Sequence, residues 1–258
     1  MTNIIRYDVR DSIAEILLDN APVNGITEEM LDTLISRLKQ AGDDAGVRAI
    51  VLGSAIPDRF CGGLDLKKFR DCSHPEVYRI VNKLYLQLFE VQASLPKPVI
   101  AAITGAVRGG GMSIAITCDM VVSSDDATFG YPEMEIGLLP SIHYHHLPRI
   151  VGRHRAFDLL FTGRSFGVQE AMALGLVNRS APPTEVLRHA HELAAIFVGK
   201  SPDLMRLGKA AFNRVTDNGY RQGAASAVDL ISSVFGTSDC AEGLSAFVDK
   251  RKPRWRKA

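Results

Sequence analysis

Two carboxylates stand in an otherwise apolar run, Phe129-Gly130-Tyr131-Pro132-Glu133-Met134-Glu135-Ile136-Gly137-Leu138-Leu139-Pro140. A carboxyl group desolvated by such neighbours ionises at a higher pH than in water, which suits proton transfer near neutrality. Glu133 is the better candidate, and Glu135 reads first as a solvated or paired side chain. Two glycine-marked turns could serve the same chemistry. One is Phe60-Cys61-Gly62-Gly63-Leu64-Asp65-Leu66; the other is Gly109-Gly110-Gly111, which opens the apolar segment Met112–Thr117. Glycines let a ligand approach the main chain, and free N–H groups at a helix start favour negative charge. Each turn taken alone is equally compatible with tight packing. The triplet is no dinucleotide fingerprint, because no G-x-G-x-x-G pattern occurs and no P-loop lysine follows. A third cluster, Ser141-Ile142-His143-Tyr144-His145-His146, carries three imidazoles that titrate near neutral pH. Without an acidic partner in the motif it is a weak metal site, and structural roles compete with catalytic ones.

These groups need elements to position them. Ile4–Val9 and Ile13–Leu18 read as a hairpin turning at Arg10-Asp11. Thr27 suits a helix N-cap, with Glu28 and Glu29 in the first turn and Met30, Leu31, Leu34, Ile35 and Leu38 on one face. Val47–Leu52 and Val99–Ile103 read as buried strands flanking an amphipathic helix, Glu76–Leu95, which Pro96 and Pro98 end. Met120–Ser123 and Ala127–Phe129 read as two more short strands. This rhythm, from residue 47 to about 130, predicts an α/β domain with parallel strands. After Pro140 helix signals take over. Val168–Leu174 closes at Gly175, Thr184 caps a helix through Phe197, and Ser201-Pro202-Asp203 starts one that runs to about Val215. Segments 220–234 and 239–249 finish the chain, followed by a basic tail over Lys250–Lys257. The best boundary falls near residue 200.

Composition narrows the function classes. The 258 residues carry 30 Lys plus Arg against 29 Asp plus Glu. A balance so close to zero argues against a dedicated nucleic-acid binder. Cys61, Cys72, Cys118 and Cys240 form no C-x-x-C pair, so neither a zinc framework nor a disulfide scaffold is expected, and reduced thiols in a cytoplasmic protein are. Residues 1–10 lack the apolar core of a signal peptide, and no run is long enough to span a membrane.

Taken together and in order, these segments resemble the enoyl-CoA hydratase/isomerase (crotonase) superfamily. The resemblance starts at Asn20-Ala21-Pro22-Val23-Asn24-Gly25 and runs through FCGGLDL, Val99–Ile103, GAVRGGG, CDMVVSSDDATFG and PEMEIGLLP. It ends at Cys240-Ala241-Glu242-Gly243-Leu244-Ser245-Ala246-Phe247-Val248-Asp249-Lys250-Arg251-Lys252-Pro253. It implies an α/β, crotonase-type spiral of stacked β-β-α units over residues 1–200, which binds acyl-CoA. A helical oligomerisation segment, 201–258, would pack on a neighbour in a homotrimer or dimer of trimers. Coenzyme A would arrive as part of the substrate, with no tightly bound cofactor.

The resemblance also implies roles. The amides of Leu64 and Gly110 would hold an enolate oxyanion, where losing one donor typically costs roughly 3–4 kcal/mol of barrier. The coenzyme would pass Val23, Cys61 and Leu64 and meet Lys67, with Phe247 and Lys250 supplied by a neighbouring subunit. Typical hydratases of the family use two glutamates. One matches Glu133, and the other position holds Ser113, which can hydrogen-bond a water or a substrate oxygen. Both are expected to face one pocket, from the helix Gly109–Thr117 and from the loop opposite. A single base can remove a proton and return it to another carbon, so isomerase-like or lyase-like chemistry is preferred to ordinary hydration. In the loop after Pro140, His143 or His145 would shape the acyl end or act as a second acid or base. Alternatives are a thioester hydrolase with a histidine activating water, a hydroxycinnamoyl-CoA hydratase-lyase, and a non-catalytic acyl-CoA- or RNA-binding paralogue. Retention of Glu133 argues against the last. Cys61 as a nucleophile is a minor option.

Overall fold

The computed structural model describes residues 4–216 and 219–254. Strands β1 (Ile5–Arg10) and β2 (Ile13–Leu18) form the expected hairpin, in register from Ile5↔Leu18 to Arg10↔Ile13. A larger parallel array continues from β2 through β3 (Ala49–Ser54), β5 (Val99–Ile103), β7 (Met120–Ser124) and β10 (Arg179–Ala181). A smaller sheet runs in the order β4 (Arg59–Cys61), β6 (Ala106–Arg108), β8 (Thr128–Gly130), β9 (Phe166–Gly167), with only the last pair antiparallel. Successive pairs, β3 with β4, β5 with β6 and β7 with β8, place one strand in each sheet before the chain leaves for a helix. This is the spiral of stacked β-β-α units.

The apolar runs explain the layering. Every residue of β5 is buried, because the sheet is covered on both faces. One face carries Ile16, Leu52 and Ala101 against Met30, Leu31, Leu34 and Leu38 of α1 (Glu28–Asp43). The other carries Ile13, Val51, Ile100 and Val122 against Val186, Ala190 and Leu193 of α9 (Val186–Val198). Thr27 caps α1 by accepting from the Met30 amide at 3.2 Å.

Several boundaries differ from expectation, each for a local reason. The strand expected at Val47–Leu52 begins two residues later, where pairing of Ala49 with Ile13 sets the register. Strands β4, β6, β9 and β10 span two or three residues, too few for an alternation signal. The helix expected over Glu76–Leu95 is α3 (His74–Asn82) and α4 (Leu88–Ser94), joined by a π-helical turn, Lys83–Gln87. Thr184 lies in a 3-10 turn, Pro183–Glu185, just before α9. The segment after Pro140, expected as a loop, is helix α6 (His143–Val151), followed by α7 (Arg153–Thr162).

The remaining helices are α2 (Leu66–Arg70), α5 (Gly110–Ile116), α8 (Val168–Ala173), α10 (Pro202–Thr216), α11 (Tyr220–Phe235) and α12 (Ser238–Val248). Helix α11 packs on α3 and the π turn, and α12 packs on α2. Ala224, Ala227, Val228, Ile231, Cys240 and Leu244 thereby join the core of their own chain. Helix α10 stands further off. It is pinned by the buried Lys209, whose Nζ lies 2.6 Å from Asp119 Oδ2 and donates to the Lys97 carbonyl at 3.0 Å. The last residues of the basic tail, 255–257, lie outside the described residues, as do the first three of the polar start. Among the described residues no helix is long and apolar enough to cross a membrane.

Candidate active site

The Asn20–Gly25 segment is tied to β4 by Asn24, whose Nδ2 donates to the Phe60 carbonyl at 2.9 Å and to Ser54 Oγ at 2.8 Å. The Gly62 amide donates to the Val23 carbonyl at 2.8 Å. Ile26 then bridges Leu64. Its N–H donates to the Gly63 carbonyl at 2.8 Å, and its carbonyl accepts from Asp65 at 3.0 Å. That parallel bridge leaves the Leu64 N–H pointing the other way. Gly110 is the first residue of α5, where an amide has no partner inside the helix. Neither amide has an acceptor among the described residues.

The two turns meet. A carbon added to Gly110 would lie 3.7 Å from the Leu64 nitrogen, and one added to Gly63 would lie 3.4 Å from the Gly110 nitrogen. Gly63 and Gly109 have φ of +89° and +49°, conformations that side chains rarely allow. At Gly109 a side chain would also meet the Glu133 carboxyl, with Oε1 3.1 Å from the added carbon. Two unpaired amides and one carboxylate therefore surround the start of α5.

Glu133 sits in the 3-10 turn Pro132–Ile136. Its Oε2 is buried without a hydrogen-bond partner among the described residues. Desolvation pushes its carboxyl up from the ordinary 4.5 to about 7. Helix α12 buttresses this turn. A carbon on Gly243 would lie 2.2 Å from the Ile136 carbonyl oxygen, so only glycine fits that crossing. Glu135 is exposed.

Ser113, one turn into α5, is buried beside His143. Its Oγ lies 3.3 Å from His143 Nε2. His143 Nδ1 in turn lies 3.3 Å from His146 Nε2. The helical conformation of 143–146 decides this grouping, because residues three apart share a face and residues two apart do not. His145 accordingly points elsewhere, against α11, where a carbon on Gly223 would lie 2.2 Å from His145 Nδ1. His146 rather than His145 is the histidine within reach of His143. Burial holds both His143 and His146 neutral, with His146 driven down to about 3. The Tyr131 ring packs edge-on to His143 with centroids 4.5 Å apart.

The residues expected along a coenzyme path form one neighbourhood. Val23 and Lys67 are exposed, and Cys61 and Leu64 lie between them on β4 and its turn. Cys61 Sγ donates to the Asn24 carbonyl at 3.1 Å, and burial pushes the thiol up to about 12. Phe247 is half-exposed and Lys250 exposed at the end of α12. Helix α12 packs on α2, which carries Lys67.

Two groups escaped the sequence reading. The π turn buries Leu84 and Tyr85 beside the site. Leu84 Cδ2 would lie 3.1 Å from a carbon on Gly110, and the Tyr85 phenol feels the Glu133 charge. Burial raises that phenol and its hydrogen bond with Ser141 opposes the rise. In sequence both residues look like an ordinary apolar helix face, and a π insertion leaves no pattern to read.

Comparison with known proteins places this arrangement. Residues 8–258 match the family model described as Enoyl-CoA hydratase/isomerase. The chain is 34% identical over 258 residues to the "Probable enoyl-CoA hydratase" of Bacillus subtilis (strain 168), covering 98% of this chain and 99% of that one. It is 34% identical over 249 residues to "Enoyl-CoA hydratase domain-containing protein 2, mitochondrial" of Bos taurus, covering 94% and 84%. Among solved structures, an enoyl-CoA hydratase from Bacillus anthracis superposes with a TM-score of 0.79 at 30% identity, covering 98% and 99%. An enoyl-CoA hydratase/isomerase from Xanthobacter autotrophicus Py2 does so with a TM-score of 0.87 at 27% identity, covering 96% and 94%.

Proposed function

Because the chain belongs to the enoyl-CoA hydratase/isomerase family, we propose that Leu64 and Gly110 hold the thioester oxygen of an acyl-CoA while Glu133 moves a proton at the adjacent carbon. The observation that carries this reading is the meeting of two unpaired amides beside a desolvated carboxyl that lacks a partner on Oε2. An α-proton next to a thioester is weakly acidic. Removing it builds negative charge on the oxygen, and donors fixed beforehand lower that barrier. A carboxyl near 7 is half ionised at neutral pH, so it can take a proton and give it back.

The coenzyme lies along Val23, Cys61 and Leu64, with Lys67 and Lys250 meeting its phosphates and Phe247 beside them. Ser113 stands where typical hydratases of the family hold a second carboxylate, so two-glutamate hydration is not available. Proton transfer by the one glutamate supports a double-bond shift or lyase-type chemistry. The test is exchange of the α-protons of butyryl-CoA in D2O, followed by mass spectrometry. Exchange that Glu133→Gln slows about 100-fold or more supports the reading. Absence of exchange overturns it, and release of free CoA thiol points to the hydrolase instead.

A further inference from the structure

We propose that four charged side chains, Glu28 and Asp32 of α1 with Arg79 of α3 and Lys83 of the π turn, are positioning residues. They hold Leu84 over the point where the Leu64 and Gly110 amides meet and so keep water from it. The inference rests on the reading of those amides and of Glu133 given above. Arg79 pairs with Glu28 through two parallel bonds, Nε to Oε1 at 2.6 Å and Nη2 to Oε2 at 2.9 Å. Lys83 Nζ reaches both acids, Glu28 Oε1 at 2.8 Å and Asp32 Oδ1 at 2.6 Å. Positions 28 and 32 share one face of α1, so the two acids present themselves to the two cations in register, as a clamp.

A single exposed ion pair fixes little, because water and salt screen it. This clamp is a network with a sheltered centre, where the Lys83 side chain is 15% exposed and that of Glu28 29%. The bidentate arginine adds direction. Hydrogen bonds from Arg79 and then Lys83 hold the Glu28 carboxyl down to about 2, so the clamp keeps its charges wherever Glu133 titrates.

The clamp closes beside the site. Lys83 opens the π turn and directly precedes Leu84. Glu28 opens α1 two residues after Ile26, which bridges Leu64. Leu84 Cδ2 and Ile26 Cδ1 lie 3.1 and 3.0 Å from one point, the place of a carbon on Gly110, and the Leu64 nitrogen lies 3.7 Å from it. Two apolar ends of buried residues thus cover the amides. Donors aimed at developing charge act most strongly where water is excluded. A π turn interrupts the regular helical ladder, and here Lys83 anchors it at its first position.

The test follows α-proton exchange of butyryl-CoA in D2O, with kcat and KM measured separately. Glu28→Gln and Lys83→Met are each expected to lower kcat about tenfold and to leave KM within about twofold, because the coenzyme path along Val23, Cys61 and Lys67 is untouched. Lys83→Arg, which keeps the charge, is expected to retain most of kcat. Leu84→Ala is expected to show the same loss, and adding Lys83→Met to it is expected to lower kcat no further, since both act through one contact. Leu84→Val takes its place if Leu84→Ala fails to fold. Unchanged kcat in Glu28→Gln and Lys83→Met, even with a lower melting temperature, overturns the clamp and leaves the amides and Glu133 standing. A rise in KM alone does the same, as does a Lys83→Met effect undiminished in the Leu84→Ala background. Absence of exchange in the unmodified protein overturns the reading of the amides and Glu133, and the clamp falls with it.

Discussion

At the residue scale the site turns on Glu133. Its carboxyl titrates at about 7 in the fold against an ordinary 4.5, so the folded state binds more protons between those values. The stabilisation this gives is fully present below 4.5 and is lost as pH rises through about 7. Above 7 the buried carboxylate costs the fold on the order of 3 kcal/mol. Glu133→Gln is therefore expected to raise the melting temperature at pH 8 and to change it little at pH 4, which thermal unfolding at the two values checks. The same substitution would remove the proposed base. Turnover should fall about 100-fold or more, while Ser113→Ala should cost much less than Glu133→Gln, as initial rates on one acyl-CoA will show. In the unmodified protein α-exchange should rise with pH and level off above about 7, because the base must be ionised to accept a proton. A profile that is flat from pH 5 to 9 would contradict the assignment.

At the element scale, the amides depend on two turns brought together and on α12 pressing against the turn that carries Glu133. Gly110→Val puts a carbon 3.7 Å from the Leu64 nitrogen, in the space where an oxygen would sit. Its other near neighbours are Ile26 Cδ1 at 3.0 Å and Leu84 Cδ2 at 3.1 Å, ends of side chains that can yield. The variant should keep its circular dichroism, lose about 1–3 kcal/mol of stability from overpacking, and lose α-exchange. Normal exchange would sink the proposal for the amides. Gly243→Ala differs because its carbon would meet the Ile136 backbone at 2.2 Å, which cannot rotate away. Displacing α12 should lower the melting temperature and also slow turnover, since the turn bearing Glu133 loses its support.

At the scale of the whole molecule, α10 has only Lys209 buried among its described residues. Leu204, Leu207, Phe212 and Val215 are all more than half exposed, although the Lys209–Asp119 ion pair holds the helix to the body. Exposed apolar residues along one helix mark a surface that association would cover. We expect a trimer or a dimer of trimers, and Leu207→Glu with Phe212→Glu should shift sedimentation towards the monomer. A stable monomer of the unmodified chain at micromolar concentration would count against this.

Much of the molecule was legible in the sequence because its signals are local. Thr27 with two glutamates announces the start of α1, the continuous apolar run Val99–Ile103 announces a strand buried on both faces, and paired glycines mark turns where the main chain is exposed to a ligand. The ordered motifs pointed to the family, and with it to Glu133, Leu64 and Gly110. Other features depend on contacts between distant segments. Strands of two or three residues exist only because neighbours pair with them. The π turn that buries Tyr85 follows from packing. His143 and His146 lie against each other, and His145 does not, because the segment after Pro140 coils into a helix whose geometry groups residues three apart. Only the tertiary structure could set Ser113 against His143 and α12 against the turn of Glu133, since segments far apart in sequence meet there through close-packed backbone.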